Sequence, residues 1–153
     1  MAALLLALAL IAPLAGGDAD ARTAIGQTLD AWHAAAARAD EDAYFAVFTP
    51  DAVFLGTDPA ERWARDEFRQ WAHPRFATGK AWTMTSTKRC IYLSADGKVA
   101  WFDEDLLSQG LGPVRGSGVL VRDGDSWKIA QYNLSVPIPN DRFDEVRRLI
   151  GPQ

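Results

Sequence analysis

The chain has 153 residues, 48% hydrophobic and 24% charged, with a formal net charge of −4. That length and balance suit one globular domain with a sizeable core and exclude a disordered chain. There is no basic excess and no Lys/Arg run to hold a phosphate backbone, so nucleic acid is not an expected partner.

Met1 to Ala15 are almost all Ala and Leu, an apolar run too short to span a bilayer as a helix, so no stable membrane insertion is expected. Ala15-Gly16-Gly17 follows, and Ala19-Asp20-Ala21 fits a small-x-small cleavage pattern. Residues 1–21 therefore read as a secretory signal peptide, and residues 22–150 as a single periplasmic or secreted domain. An apolar N-terminal helix packed on the domain is the alternative. The lone cysteine, Cys90, allows no intramolecular disulfide and reads as a small hydrophobe within a strand.

Ile25, Leu29, Trp32 and Ala36 recur at helical spacing and predict a helix from about Arg22 to Ala39. Asp40 suits the N-cap of a short second helix carrying Tyr44, Phe45 and Phe48, with Pro50 as its stop. Asp51 to Leu55 is a short strand, and Gly56-Thr-Asp-Pro59 a turn. A third helix, from about Arg65 to Thr78, puts Phe68, Trp71, Ala72 and Phe76 on one side, and Gly79 stops it.

Long strands follow: Trp82–Leu93, Val99–Ser108, Val114–Arg122 and Trp127–Val136, joined by turns at Ala95-Asp-Gly97 and Asp123-Gly124 and by a loop over 109–113. Pro137 and Pro139 forbid further pairing, and Asn140 suits the start of a closing helix with Phe143, Val146 and Ile150. Helices first and an antiparallel meander after is an α+β pattern. In the last strand, strict alternation puts Trp127, Ile129, Gln131, Asn133 and Ser135 on one face. That face begins apolar and ends polar, as the wall of a pocket would.

Local runs carry a resemblance across nearly the whole chain after Arg22. They are Phe54-Leu-Gly-Thr-Asp58 with Glu61-Arg62-Trp63, Phe68-Arg-Gln-Trp71, Trp101-Phe-Asp-Glu104, Arg115-Gly-Ser-Gly-Val-Leu-Val121 and Trp127 to Ser135. In this order they resemble the NTF2-like (SnoaL-like) superfamily, nearest its SnoaL-like domain-3 and DUF4440-related bacterial branch. The resemblance implies a cone: a curved antiparallel sheet wrapped around three N-terminal helices, with a short C-terminal helix. It also implies a homodimer formed through the sheet, and a pocket for a small-molecule ligand between sheet and helices. The superfamily holds isomerases, dehydratases, polyketide cyclases and non-catalytic binding domains, so the fold does not choose an activity.

Asp103-Glu104-Asp105 is the first candidate for chemistry. Both faces of that strand are mixed, so alternation leaves open whether Asp103 or Glu104 points inward. The resemblance singles out Trp-Phe-Asp-Glu and favours Glu104 as a general base, its pKa raised by an apolar pocket. A solvated acidic strand is the plainer reading. Arg115 could hold a ligand carboxylate, or pair with Asp103 or Glu104. Gln131 and Asn133 do not titrate; they could orient a carbonyl or hydroxyl, or bond across strands.

Trp32, Tyr44 and Trp63 are the aromatic candidates for the pocket wall. His33 and His73, the two histidines, have no second ligand at metal spacing, so no metal is expected, nor any cofactor. Packing or surface roles suit both, His33 being the one that could reach a pocket. The expected ligand is modest in size, partly apolar, and bears a carbonyl, hydroxyl or carboxylate.

Overall fold

The computed structural model describes residues 15–151. Most of the expected signal segment lies outside them, and residues from Ala15 onward belong to the first helix. That helix, α1, spans Ala15–Ala37. It buries Ile25, Leu29, Trp32 and Ala36, the stripe expected from their spacing. Ala39 takes a left-handed φ of 58°, and the chain turns into α2, Glu41–Ala46. The Asp40 side chain accepts the Ala43 N–H at 3.1 Å, which satisfies one of the free donors of α2.

Pro50 does not end α2, which stops at Ala46; Pro50 lies inside the next strand, β1, Phe48–Leu55. It is tolerated there because the ladder of β1 is interrupted between Phe48 and Val53, so no strand bond needs its missing N–H. A three-residue strand, β2 (Arg62–Ala64), returns along β1 and pairs Trp63 with Phe54. α3, Arg65–Ala77, follows directly and buries Phe68, Ala72 and Phe76. Thr78 caps it and Gly79, at φ 77°, turns the chain out of it.

The meander is β3 (Met84–Leu93), β4 (Val99–Ser108), β5 (Gly112–Asp123) and β6 (Ser126–Ser135). The six strands form one sheet in the order β2-β1-β6-β5-β4-β3. All neighbours are antiparallel except β1 and β6, which run parallel because the chain must cross the sheet between them. The inner face carries rows such as Ile91, Phe102, Gly118, Tyr132 and Phe54, and α1 lies across it. No helix of the described residues is long and apolar enough to cross a membrane.

Two bulges decide what faces inward. In β6, Ile129 pairs with Leu120 but Gln131 pairs with Val119, so Ala130 is an extra residue. An extra residue reverses the alternation beyond it. Trp127 and Ile129 are buried as expected; past the bulge, Tyr132 and Leu134 take the inner face instead of Gln131 and Asn133. In β3, Thr87 is extra between the pairs Ser86–Leu106 and Lys88–Asp105, and Arg89 faces inward beside Ile91. The chain closes with a short 3-10 turn, Asn140–Arg142, and α4, Phe143–Ile150. The expected closing helix forms but does not close on the core: Phe143, Leu149 and Ile150 are exposed.

Candidate functional site

Between α1, α3 and the inner face of the sheet lies a cavity of about 420 Å³, at the small end of the range that holds small molecules. Trp32, Tyr44, Phe68 and Tyr132 line its deep part and are almost fully buried. Phe54, Trp63 and Trp82 continue the wall. Trp71, Leu111 and the loop from Gly56 to Glu61 form the open side. The rings pack edge-to-face and in offset stacks: Trp32–Tyr132 centroids are 4.7 Å apart, Trp63–Phe68 5.5 Å, Trp63–Trp71 4.7 Å. The wall is thus rich in aromatic rings that pack on one another.

A buried polar assembly lies at the cavity's deep end. His33, on α1 beside Trp32, lines the cavity and is itself only 7% exposed. Its Nε2 lies 2.8 Å from Oε1 of Glu104, on β4, whose side chain is fully buried. Arg89, from β3, donates through Nε to Oε2 of Glu104 at 2.9 Å. Its Nη2 lies 2.8 Å from the same oxygen, an ion-pair contact without hydrogen-bond geometry. Arg89 Nη1 reaches α1, bonding the Gly26 carbonyl at 3.1 Å and Asp30 Oδ1 at 2.8 Å. Asp30, Arg89, Glu104 and His33 form a chain of contacts from the surface to the cavity.

The charges set the protonation of this chain. Burial pushes the Glu104 carboxyl up, but the hydrogen bond and charge of His33, then Arg89, together pull it below the usual glutamate range. An ionised Glu104 accepts only, so Nε2 of His33 carries a proton, and only in the neutral ring is Nδ1 an acceptor. Nδ1 has no hydrogen-bond partner among the described residues.

Tyr132 completes the inner wall. Its ring crosses the bare backbone of Gly116, where a Cβ would overlap the Tyr132 hydroxyl and come within 3.2 Å of Glu104 Cγ. Burial first, and then the Glu104 charge, drive the phenol well above its ordinary range, with Arg89 partly opposing. It therefore stays protonated. Its oxygen and the Trp32 Nε1 are buried without a hydrogen-bond partner among the described residues. Burial, followed by Tyr132, likewise raises Tyr44.

Of the residues expected from sequence, Trp32, Tyr44 and Trp63 come together on the cavity wall. Glu104 faces inward but stands behind His33, outside the lining, and its carboxyl is lowered rather than raised. Asp103 is exposed on the outer sheet face. Arg115 is also on that face, 53% exposed, with its Nε 3.3 Å from Asp105 rather than from Asp103 or Glu104. Gln131 is exposed and Asn133 half-buried on the same face; the bulge at Ala130 turns them out of the pocket. Arg89, Tyr132, Phe54, Phe68 and Trp82 were not foreseen at the site. Arg89 shares its alternation with Ile91, the one signal in the sequence that it turns inward.

The SnoaL-like domain family matches residues 25–139. No curated protein matches the chain in sequence. Solved structures with the same fold include an NTF2-like protein of unknown function from Pseudomonas putida KT2440, 14% identical, TM-score 0.68, covering 80% of this chain and 91% of its own. A candidate scytalone dehydratase from Novosphingobium aromaticivorans DSM 12444 is 12% identical, TM-score 0.70, covering 82% and 89%. A candidate dehydratase of the NTF2-like family from Streptomyces avermitilis is 22% identical, TM-score 0.64, covering 80% and 99%. At these identities the likeness is one of fold. With the family matched over most of its length, and with this helix order, sheet and cavity, the chain belongs to the SnoaL-like family of the NTF2-like superfamily.

Proposed function

We propose that this chain is an exported protein that binds a small, largely aromatic molecule in its cavity and moves a proton on it, as an isomerase or dehydratase does. The observation that carries the reading is His33, held by a buried, doubly paired Glu104 and facing an aromatic cavity. Glu104 is then a positioning residue: it fixes the tautomer and angle of the imidazole, and Nδ1 accepts the proton. Two structural relatives carry dehydratase names, which supports the same class. Export rests on the apolar start of the sequence. A homodimer through the outer sheet face is supported by the exposed, stacked Tyr92 and Trp101, whose centroids are 5.8 Å apart.

Small molecules extracted from the natively expressed protein, identified by mass spectrometry, supply the substrate. That molecule is then incubated in heavy water with the wild-type protein and with His33→Gln. Deuterium entering the ligand with wild type and not with the variant is the expected result. Tight binding without exchange by either protein leaves a non-catalytic binding domain and refutes the proton-transfer role.

A further inference from the structure

The open side of the cavity carries a group that proton transfer does not use. Apart from the buried phenols of Tyr44 and Tyr132, the ionisable residues lining the cavity are His33 and Glu61. Arg62, Arg75 and Lys80 belong to neighbouring stretches of chain but do not line it; the Arg75 guanidinium instead lies over the Trp71 ring, 3.9 Å from its centroid.

A short loop closed on itself places Glu61. Gly56 N–H donates to the Glu61 carbonyl at 2.8 Å, Glu61 N–H to the Asp58 carbonyl at 2.9 Å, and Ala60 N–H to Asp58 Oδ1 at 2.8 Å. The Glu61 carboxylate folds back over Gly56, into space that any Cβ at position 56 would occupy. There Oε2 accepts the Asp58 N–H at 3.2 Å, while Oε1 has no partner among the described residues. A carboxylate accepts several hydrogen bonds. The free oxygen is therefore an open acceptor in the same wall as Trp63 and Trp71.

The geometry points to Glu61 as the ligand's anchor: it accepts from a hydroxyl or amine on a molecule whose ring lies against Trp63 and Trp71, and its charge turns away ligands bearing a carboxylate or sulfonate. This rests on the pocket reading above and narrows its substrate class. It also reverses the carboxylate ligand expected from Arg115, which stands on the opposite face of the sheet.

Three probes on one ring system test it by isothermal titration calorimetry: 2-naphthol, 2-methoxynaphthalene and 2-naphthoate. Wild type should bind 2-naphthol at least about tenfold more tightly than either of the others, the scale of one charge-assisted hydrogen bond gained or one repulsion incurred. Glu61→Ala should bring 2-naphthol to within about threefold of 2-methoxynaphthalene, and Glu61→Gln should strengthen 2-naphthoate by at least about fivefold. Thermal melting checks that both variants fold. Wild type that binds all three alike, or discrimination unchanged in both folded variants, overturns the role of Glu61 and leaves the pocket reading standing. Failure of wild type to bind any of the three overturns both.

Discussion

Replacing Glu104 by Gln keeps the shape of the side chain and removes its charge, so it isolates the electrostatic part of the site. In the wild-type fold the carboxylate holds His33 at 2.8 Å and Arg89 at 2.9 Å. Stranding one member of a buried charge pair costs about 3–5 kcal/mol. Arg89 is not fully stranded, because it keeps Asp30 at 2.8 Å and the Gly26 carbonyl at 3.1 Å. The amide also still accepts one hydrogen bond, so the expected loss falls to about 2 kcal/mol. For a domain of this size that lowers Tm by about 4–8 °C.

The pH dependence fixes the sign. The folded carboxyl sits below its ordinary value, so as pH falls the unfolded chain takes up the proton first and the fold loses stability. The stabilisation is complete above the unfolded glutamate pKa of about 4.3 and disappears as pH drops through the folded value. Thermal unfolding by circular dichroism should therefore show the largest gap between wild type and Glu104→Gln near pH 7, narrowing steadily below pH about 4.3. Adding Arg89→Met to the variant should restore part of the loss, since the uncompensated cation is then gone. A variant as stable as wild type at pH 7, or a gap that widens in acid, refutes the reasoning.

Two further substitutions test the placements. Gly116→Ala pushes a methyl into the Tyr132 hydroxyl, and the overpacking should cost about 1–3 kcal/mol, seen as a lower Tm and a changed near-ultraviolet spectrum; an unchanged spectrum contradicts the close approach. Arg115→Ala removes only an exposed pair on the outer face and should change stability by less than about 0.5 kcal/mol while leaving 2-naphthol affinity intact; loss of binding would put Arg115 back in the pocket.

The elements that follow one periodicity were legible. Ile25, Leu29, Trp32 and Ala36 mark a helix face whether or not the fold is known, and Phe102, Glu104 and Leu106 do share an inner strand face. The aromatic wall was half legible: Trp32, Tyr44 and Trp63 are large enough to demand burial, but strict alternation in the last strand puts Gln131 and Asn133, not Tyr132, on the face of Trp127 and Ile129. The cause is a single residue, Ala130. A small apolar side chain in a strand gives no warning of a bulge, and the strands it sits between are β5, across the hairpin, and β1, from much earlier in the chain. The bulge at Thr87 is just as silent. Short-range patterns therefore name the strands and miss the two points where their faces exchange.

The bulge in β3 also bears on the proposed chemistry. Without the bulge in β3, Arg89 would face outward relative to Met84, and Glu104 would meet His33 alone in an apolar interior. Burial would then be opposed by His33 alone, leaving a carboxyl less firmly held in its ionised form. With Arg89 turned inward, the carboxylate is bound on both oxygens and held in its ionised form. A base so stabilised has little tendency to take a proton, but a fixed anion is well suited to hold a donor nitrogen in place. With Arg89 turned inward, the proposed proton transfer falls to His33, the member of that chain of contacts that lines the cavity.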